Sequence, residues 1–168
     1  CAITDLTPFS SAFSLQTLDI SGNDISDLSP ISALSQLINL YADSNAISDL
    51  SPISNLSSLA TLSLHGNDIT AVEPLSSLTD LHYLDLSGND IGDINPICPL
   101  KNLHTLDLSF NAIESCKTPL NSTGLLILNL SSNKLTDISV LLSKTRRLQR
   151  VILTCNPIDD FSLFFSMK

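Results

Sequence analysis

The stretch LDISGNDISDLSP, residues 18–30, returns as LYADSNAISDLSP at 40–52, LSLHGNDITAVEP at 62–74 and LDLSGNDIGDINP at 84–96. Aligned on its asparagines, the chain repeats every 22 residues at Asn23, Asn45, Asn67, Asn89, Asn111 and Asn133, with Asn156 after an interval of 23. Before each asparagine stands LxxLxL or a close variant, as in Leu59, Leu62 and Leu64 before Asn67 or Leu103, Leu106 and Leu108 before Asn111. Two residues after it stands Ile25, Ile47, Ile69, Ile91, Ile113, Leu135 or Ile158. Intervals this regular in one frame exclude chance and define a repeat architecture.

The chemistry of one repeat predicts its shape. In a short Leu-x-Leu stretch alternate side chains face opposite sides of a strand, so the leucines enter a core and the residues between them face out. The chain then turns, and the asparagine amide is placed to satisfy backbone groups that the turn buries, which would be costly if left unpaired. One repeat cannot close a core alone, whereas stacked repeats form a continuous one. The expected product is an α/β solenoid of about seven repeats, with a parallel sheet lining its concave side.

The return leg is regular as well. Pro30, Pro52, Pro74 and Pro96 share one position, between apolar residues such as Leu28 and Ile31 or Leu50 and Ile53. Proline lacks a backbone donor and suits the first turn of a short helix, so the convex side should carry 3-10 turns or extended backbone. The fifth repeat departs from the pattern, with Cys116 in a leucine position and Pro119 one place late, and should be irregular. The sixth holds the extra residue near VLLSKTRRL and has room for a longer helix. Cys1 falls in the asparagine column, so the chain begins halfway through a repeat. Residues 1–168 are read as a single domain, with 156–168 as a C-terminal capping segment, belonging to a longer chain. A mature lipoprotein beginning at Cys1 is the rival reading.

Bulk properties narrow the function. The formal net charge is −9, yet residues 1–100 contain no Lys or Arg and twelve acids, while all eight Lys and Arg lie in 101–168. Only KTRRLQR, 144–150, offers a basic cluster, too small a footprint to neutralise a nucleic-acid backbone. No apolar run is long enough to span a bilayer as a helix, so no membrane insertion is expected. Cys1, Cys98, Cys116 and Cys155 lack CxxC spacing and read as small apolar fillers rather than zinc ligands. None of the common hydrolase, metalloprotease or nucleotide-binding motifs is present, so neither an enzyme nor a cofactor is expected.

The motif LxxLxLxxN/CxL identifies the chain as a leucine-rich-repeat protein. Its spacing and its I-x-D-L/I-x-P-L/I return leg resemble one subclass, which includes the phosphatase-1 regulatory subunits, axonemal repeat proteins and the internalins of bacterial surfaces. ISDLSPISNLSSL, 47–59, is similar to internalin repeats, whereas LTCNPIDDF, 153–161, resembles the capping turn of intracellular eukaryotic members. The resemblance implies a horseshoe that binds a protein through its concave sheet.

The register identifies the outward positions. Asp19, Tyr41, Asp43, His65, Tyr83, Asp85 and Asp107 form the candidate contact patch, since tyrosines anchor interfaces and acids steer a partner of basic or mixed surface. The alternative is a sheet face that is acidic only for solubility. Asp85 and Asp107 share a column, but an open sheet offers neither a dry pocket nor enough ligands for calcium. His82 and His104 share another column and read as solvated edge residues. The sequons at Asn55, Asn121 and Asn129 carry little weight in so Ser- and Asn-rich a chain. The expectation is an intracellular interaction module, a scaffold or regulatory subunit, cytoplasmic or ciliary. The alternatives are an internalin-like surface ligand-binding protein and a structural segment of an assembly such as an axoneme.

Overall fold

The computed structural model describes residues 2–159. Seven three-residue strands form one parallel sheet in sequence order: β1 Thr17–Asp19, β2 Asn39–Tyr41, β3 Thr61–Ser63, β4 Tyr83–Asp85, β5 Thr105–Asp107, β6 Ile127–Asn129 and β7 Arg150–Ile152. Each residue pairs with its equivalent one repeat on, as in Leu62 with Leu40 and Leu84. The sequence period therefore sets the register directly. The central leucines Leu18, Leu40, Leu62, Leu84, Leu106 and Leu128 are buried, and so are Ile20, Leu64, Leu86, Leu108 and Leu130 two residues further on, save that Ala42 fills that place after β2. Each such side chain contributes about 1.5–3 kcal/mol relative to exposure.

Opposite the sheet, the prolines sit in the first turn of 3-10 segments at Thr7–Phe9, Ser29–Ile31, Ser51–Ile53, Glu73–Ser77 and Asn95–Ile97. Their last or central apolar residues Ile31, Ile53, Leu75 and Ile97 are buried against the leucines. An aspartate prepares most of these turns: the carboxylates of Asp5, Asp27, Asp49 and Asp93 accept the N–H of Thr7, Ser29, Ser51 and Asn95 at 2.7–2.8 Å. Since 3-10 turns are wider than single strands, the sheet lies on the inner side of the stack.

The fifth return leg has no helical segment. Its amides find partners in neighbouring legs instead, Leu120 N–H donating to Leu141 and Asn121 N–H to Cys98. The buried Ser122 hydroxyl closes the gap by donating to the Leu103 carbonyl. In the sixth, Val140 occupies the proline column and the turn becomes α-helical, α1, Ser139–Leu142, with Leu142 N–H bonded to Ile138.

The asparagines bind one rung to the next. Asn67 donates to Ala42 and Leu64 carbonyls at 2.9 and 3.0 Å, while its Oδ1 accepts Ile47 N–H at 3.0 Å. Asn45, Asn89, Asn111 and Asn133 repeat the pattern, as does Asn156 against Leu130, Leu153 and Leu135. Asn23 accepts Ile3 N–H and donates to Ile20. Among the described residues no buried side-chain nitrogen or oxygen lacks a partner. The reading of Cys1 in the asparagine column, and of the capping segment beyond Asp159, lies outside the described residues.

Candidate functional site

Strands one repeat apart bring the outward residues into columns. Asp19, Tyr41, Ser63, Asp85, Asp107 and Asn129 form the middle column, each paired in register with the next. Tyr83 lies in the column before it, between Thr61 and Thr105. Asp43 and His65 stand in the column after it, beyond the C-terminal ends of β2 and β3. All seven candidate residues therefore face out of one sheet side. Asp19, His65 and Tyr83 are exposed, and Tyr41, Asp43, Asp85 and Asp107 are half-buried.

The carboxylates are built into the scaffold as well as displayed. Asp43 accepts the Ser63 hydroxyl at 2.7 Å and His65 N–H at 2.8 Å, reaching across one rung. Asp85 accepts both the N–H and hydroxyl of Ser87, and Asp107 does the same for Ser109. His65 Nδ1 lies 2.8 Å from Ser87 Oγ. The Ser87 proton is committed to Asp85, so the serine oxygen accepts and His65 Nδ1 carries the hydrogen. Asp107 also receives the Asn129 amide at 2.9 Å. The result is a hydrogen-bonded layer that holds Asp43, His65, Asp85 and Asp107 in fixed positions while one side of each stays wet.

The field of this layer registers at Tyr83. Its phenol is pushed up to about 12, first by partial burial, then by the charge of Asp85 and its hydrogen bond, then by Asp107 and Asp43. Asp19 is held below the ordinary carboxylate range by the N–H and hydroxyl of Ser21.

Other features had little signal in the sequence. Ser63, Ser87, Ser109 and Ser131 are buried although they point outward, because the adjoining Asp and Asn side chains cover them. The His82 and His104 rings stack in parallel, with centroids 5.2 Å apart, at the strand entry edge. Phe110 is 63% exposed with a positive φ, and only its place before Asn111 marked it. A hollow of about 330 Å³ lies away from the sheet, between the return legs of the fourth and fifth repeats, lined by Asp93, Asn95, Glu114 and Lys117. No group of three or more His, Cys, Asp or Glu among the described residues is arranged to hold a metal ion. No described helix is long and apolar enough to cross a membrane.

One open parallel sheet in strict sequence order, each rung packed on the next, defines the solenoid class. A model described as leucine-rich repeats in two copies matches residues 13–55, 57–97 and 79–122, and a single-repeat model matches 121–141. The chain belongs to the leucine-rich-repeat family. Among solved structures it is similar to the inlC2 internalin of Listeria monocytogenes, at 35% identity and TM-score 0.84 over 91% of this chain and 67% of that one. It is similar also to the inlF internalin of the same organism, at 27% identity and TM-score 0.71 over 89% and 51%. A leucine-rich-repeat protein of Leptospira interrogans shares 26% identity and TM-score 0.78 over 97% and 48%. The chain thus spans from about half to two thirds of the length of these proteins. A comparison with curated proteins gives no match.

Proposed function

We propose that this chain is a protein-interaction module that holds its partner on the sheet face. The observation that carries the reading is the fixed layer in which Tyr41 and Tyr83 stand among Asp43, Asp85 and Asp107, on a region without a single Lys or Arg before residue 101. Tyrosines on a rigid sheet supply contact area at low entropic cost, and the acids select a partner with a basic or mixed surface. The likeness to two internalins supports the surface ligand-binding or adhesion form of this function. The free thiols Cys98, Cys116 and Cys155 favour a second reading, an intracellular scaffold or regulatory subunit, of which phosphatase-regulating and axonemal roles are specific forms.

Affinity purification from native extract, wild type beside a Tyr41→Ala, Tyr83→Ala, Asp85→Lys variant, tests the shared core of both readings. A partner lost only with the variant supports the sheet face. Identical partners in both samples would move binding to the edges or the convex side. Glycans or disulfides in native material would favour the surface form, and reduced thiols the intracellular one.

A further inference from the structure

The residue before each ladder asparagine turns left-handed. It is Gly22, Gly66 or Gly88 at φ 69, 64 and 64°, or Ser44, Phe110, Ser132 or Cys155 at 53, 54, 54 and 58°. The conformation is imposed by the ladder: Gly66 N–H reaches the Ser87 carbonyl, Gly88 the Ser109 carbonyl and Phe110 the Ser131 carbonyl. Glycine adopts it freely, small polar residues at modest cost, and a bulky side chain only under strain. Phe110 nevertheless occupies it, and at 63% exposure it is the most exposed large apolar side chain among the described residues. Its ring therefore gives the core little in return for the strain. A strained residue that the fold does not need points to function.

The surroundings define what it would meet. Asp107 accepts both the N–H and the hydroxyl of Ser109, the residue immediately before Phe110. Phe110 therefore borders the acidic layer just beyond the C-terminal end of β5. At the opposite, entry end of the sheet, Tyr83 and Ile127, at 37% exposure each, flank Thr105 of β5.

We infer that Phe110 is the apolar anchor of the interface, on which a cationic segment of a protein partner packs its own apolar side chains while its Lys or Arg meet Asp85 and Asp107. The inference rests on the sheet-face reading above and adds an anchor at its rim.

The test is selection from a phage-displayed random-peptide library on the wild-type protein. Selected peptides are then titrated by fluorescence anisotropy against wild type, Phe110→Gly, Phe110→Ser and the Tyr41→Ala, Tyr83→Ala, Asp85→Lys variant. The expected result is peptides rich in Lys or Arg beside large apolar residues, bound at least about tenfold more weakly by Phe110→Gly. The thermal midpoint of that variant should be unchanged or higher by about 2–4 °C, since strain is released. A selection without Phe110-dependent binders, a preference for acidic peptides, or a midpoint that falls with both Gly and Ser overturns the anchor. If Phe110→Gly binds normally and the triple variant does not, the anchor fails while the sheet face stands. If only Phe110→Gly loses binding, the sheet-face reading fails, and with it the proposed contact of the partner's cations with Asp85.

Discussion

Asn67 sets three backbone groups of two adjacent rungs, Ala42, Leu64 and Ile47, against one buried amide. Replacing it by alanine leaves the Ile47 N–H unpaired out of water, while the Ala42 and Leu64 carbonyls keep only Asn45 and Asn89 as side-chain donors, a loss of about 2 kcal/mol. Urea titration should place Asn67→Ala well below wild type, with Asn23→Ala milder because that site is only half-buried. The exposed aspartates act through pH. Asp5, Asp19, Asp27, Asp49 and Asp137 are held low by N–H and hydroxyl donors two residues on. The folded state therefore binds protons less readily than the unfolded one, and the stability they lend is present above the ordinary carboxylate range and lost as pH falls through it. Tyr83 works in the opposite sense: with its phenol raised from 10.0 to about 12, it stabilises the fold below that window and ceases to as pH rises through it. Denaturation followed across pH should show both slopes, and Tyr83→Phe should flatten the alkaline one alone.

At the scale of the element, proline placement decides the return legs. Where Pro30, Pro52, Pro74 and Pro96 stand, a 3-10 turn forms; where Val140 replaces proline, one turn of α-helix does; where Thr118 and Pro119 break the frame, neither does. The irregular fifth leg keeps Cys116 buried next to the likewise buried Cys98. Burial pushes their thiols up to about 12 and about 11, so neither supplies thiolate at neutral pH. Iodoacetamide followed by mass spectrometry should modify the exposed Cys155 on the native protein, and reach Cys98 and Cys116 only after denaturant is added. Rapid labelling of either in native protein would show that the fifth leg opens.

At the scale of the molecule, charge is distributed along the stack rather than around it. The first hundred residues carry only negative charge, and Lys144, Arg146, Arg147 and Arg150 gather on the sixth and seventh rungs, all exposed. Among the described residues the one ion pair is Lys134 with Glu114, at 3.9 Å and exposed on both sides, worth little in water. These charges remain available to a partner. Association through the acidic layer should weaken severalfold between low and physiological salt, chiefly through a slower on-rate, measured by surface plasmon resonance with the captured partner. A salt-independent on-rate would mean that the acids serve solubility alone.

The sequence by itself determined the repeat, the strand register, the buried leucines, the asparagine column and the break in the fifth leg. A 22-residue period leaves each rung only its neighbour to pack against, so local spacing and global fold coincide. It also placed Tyr41, Tyr83, Asp85 and Asp107 on one face, because side chains alternate along a strand. Tertiary structure alone decided which carboxylate oxygen bonds which serine, that His65 carries its hydrogen on Nδ1, and that outward serines are covered. It alone showed that Phe110 is strained and bare. Those outcomes depend on distances across rungs and on what covers what, quantities set by stacking that no single repeat contains.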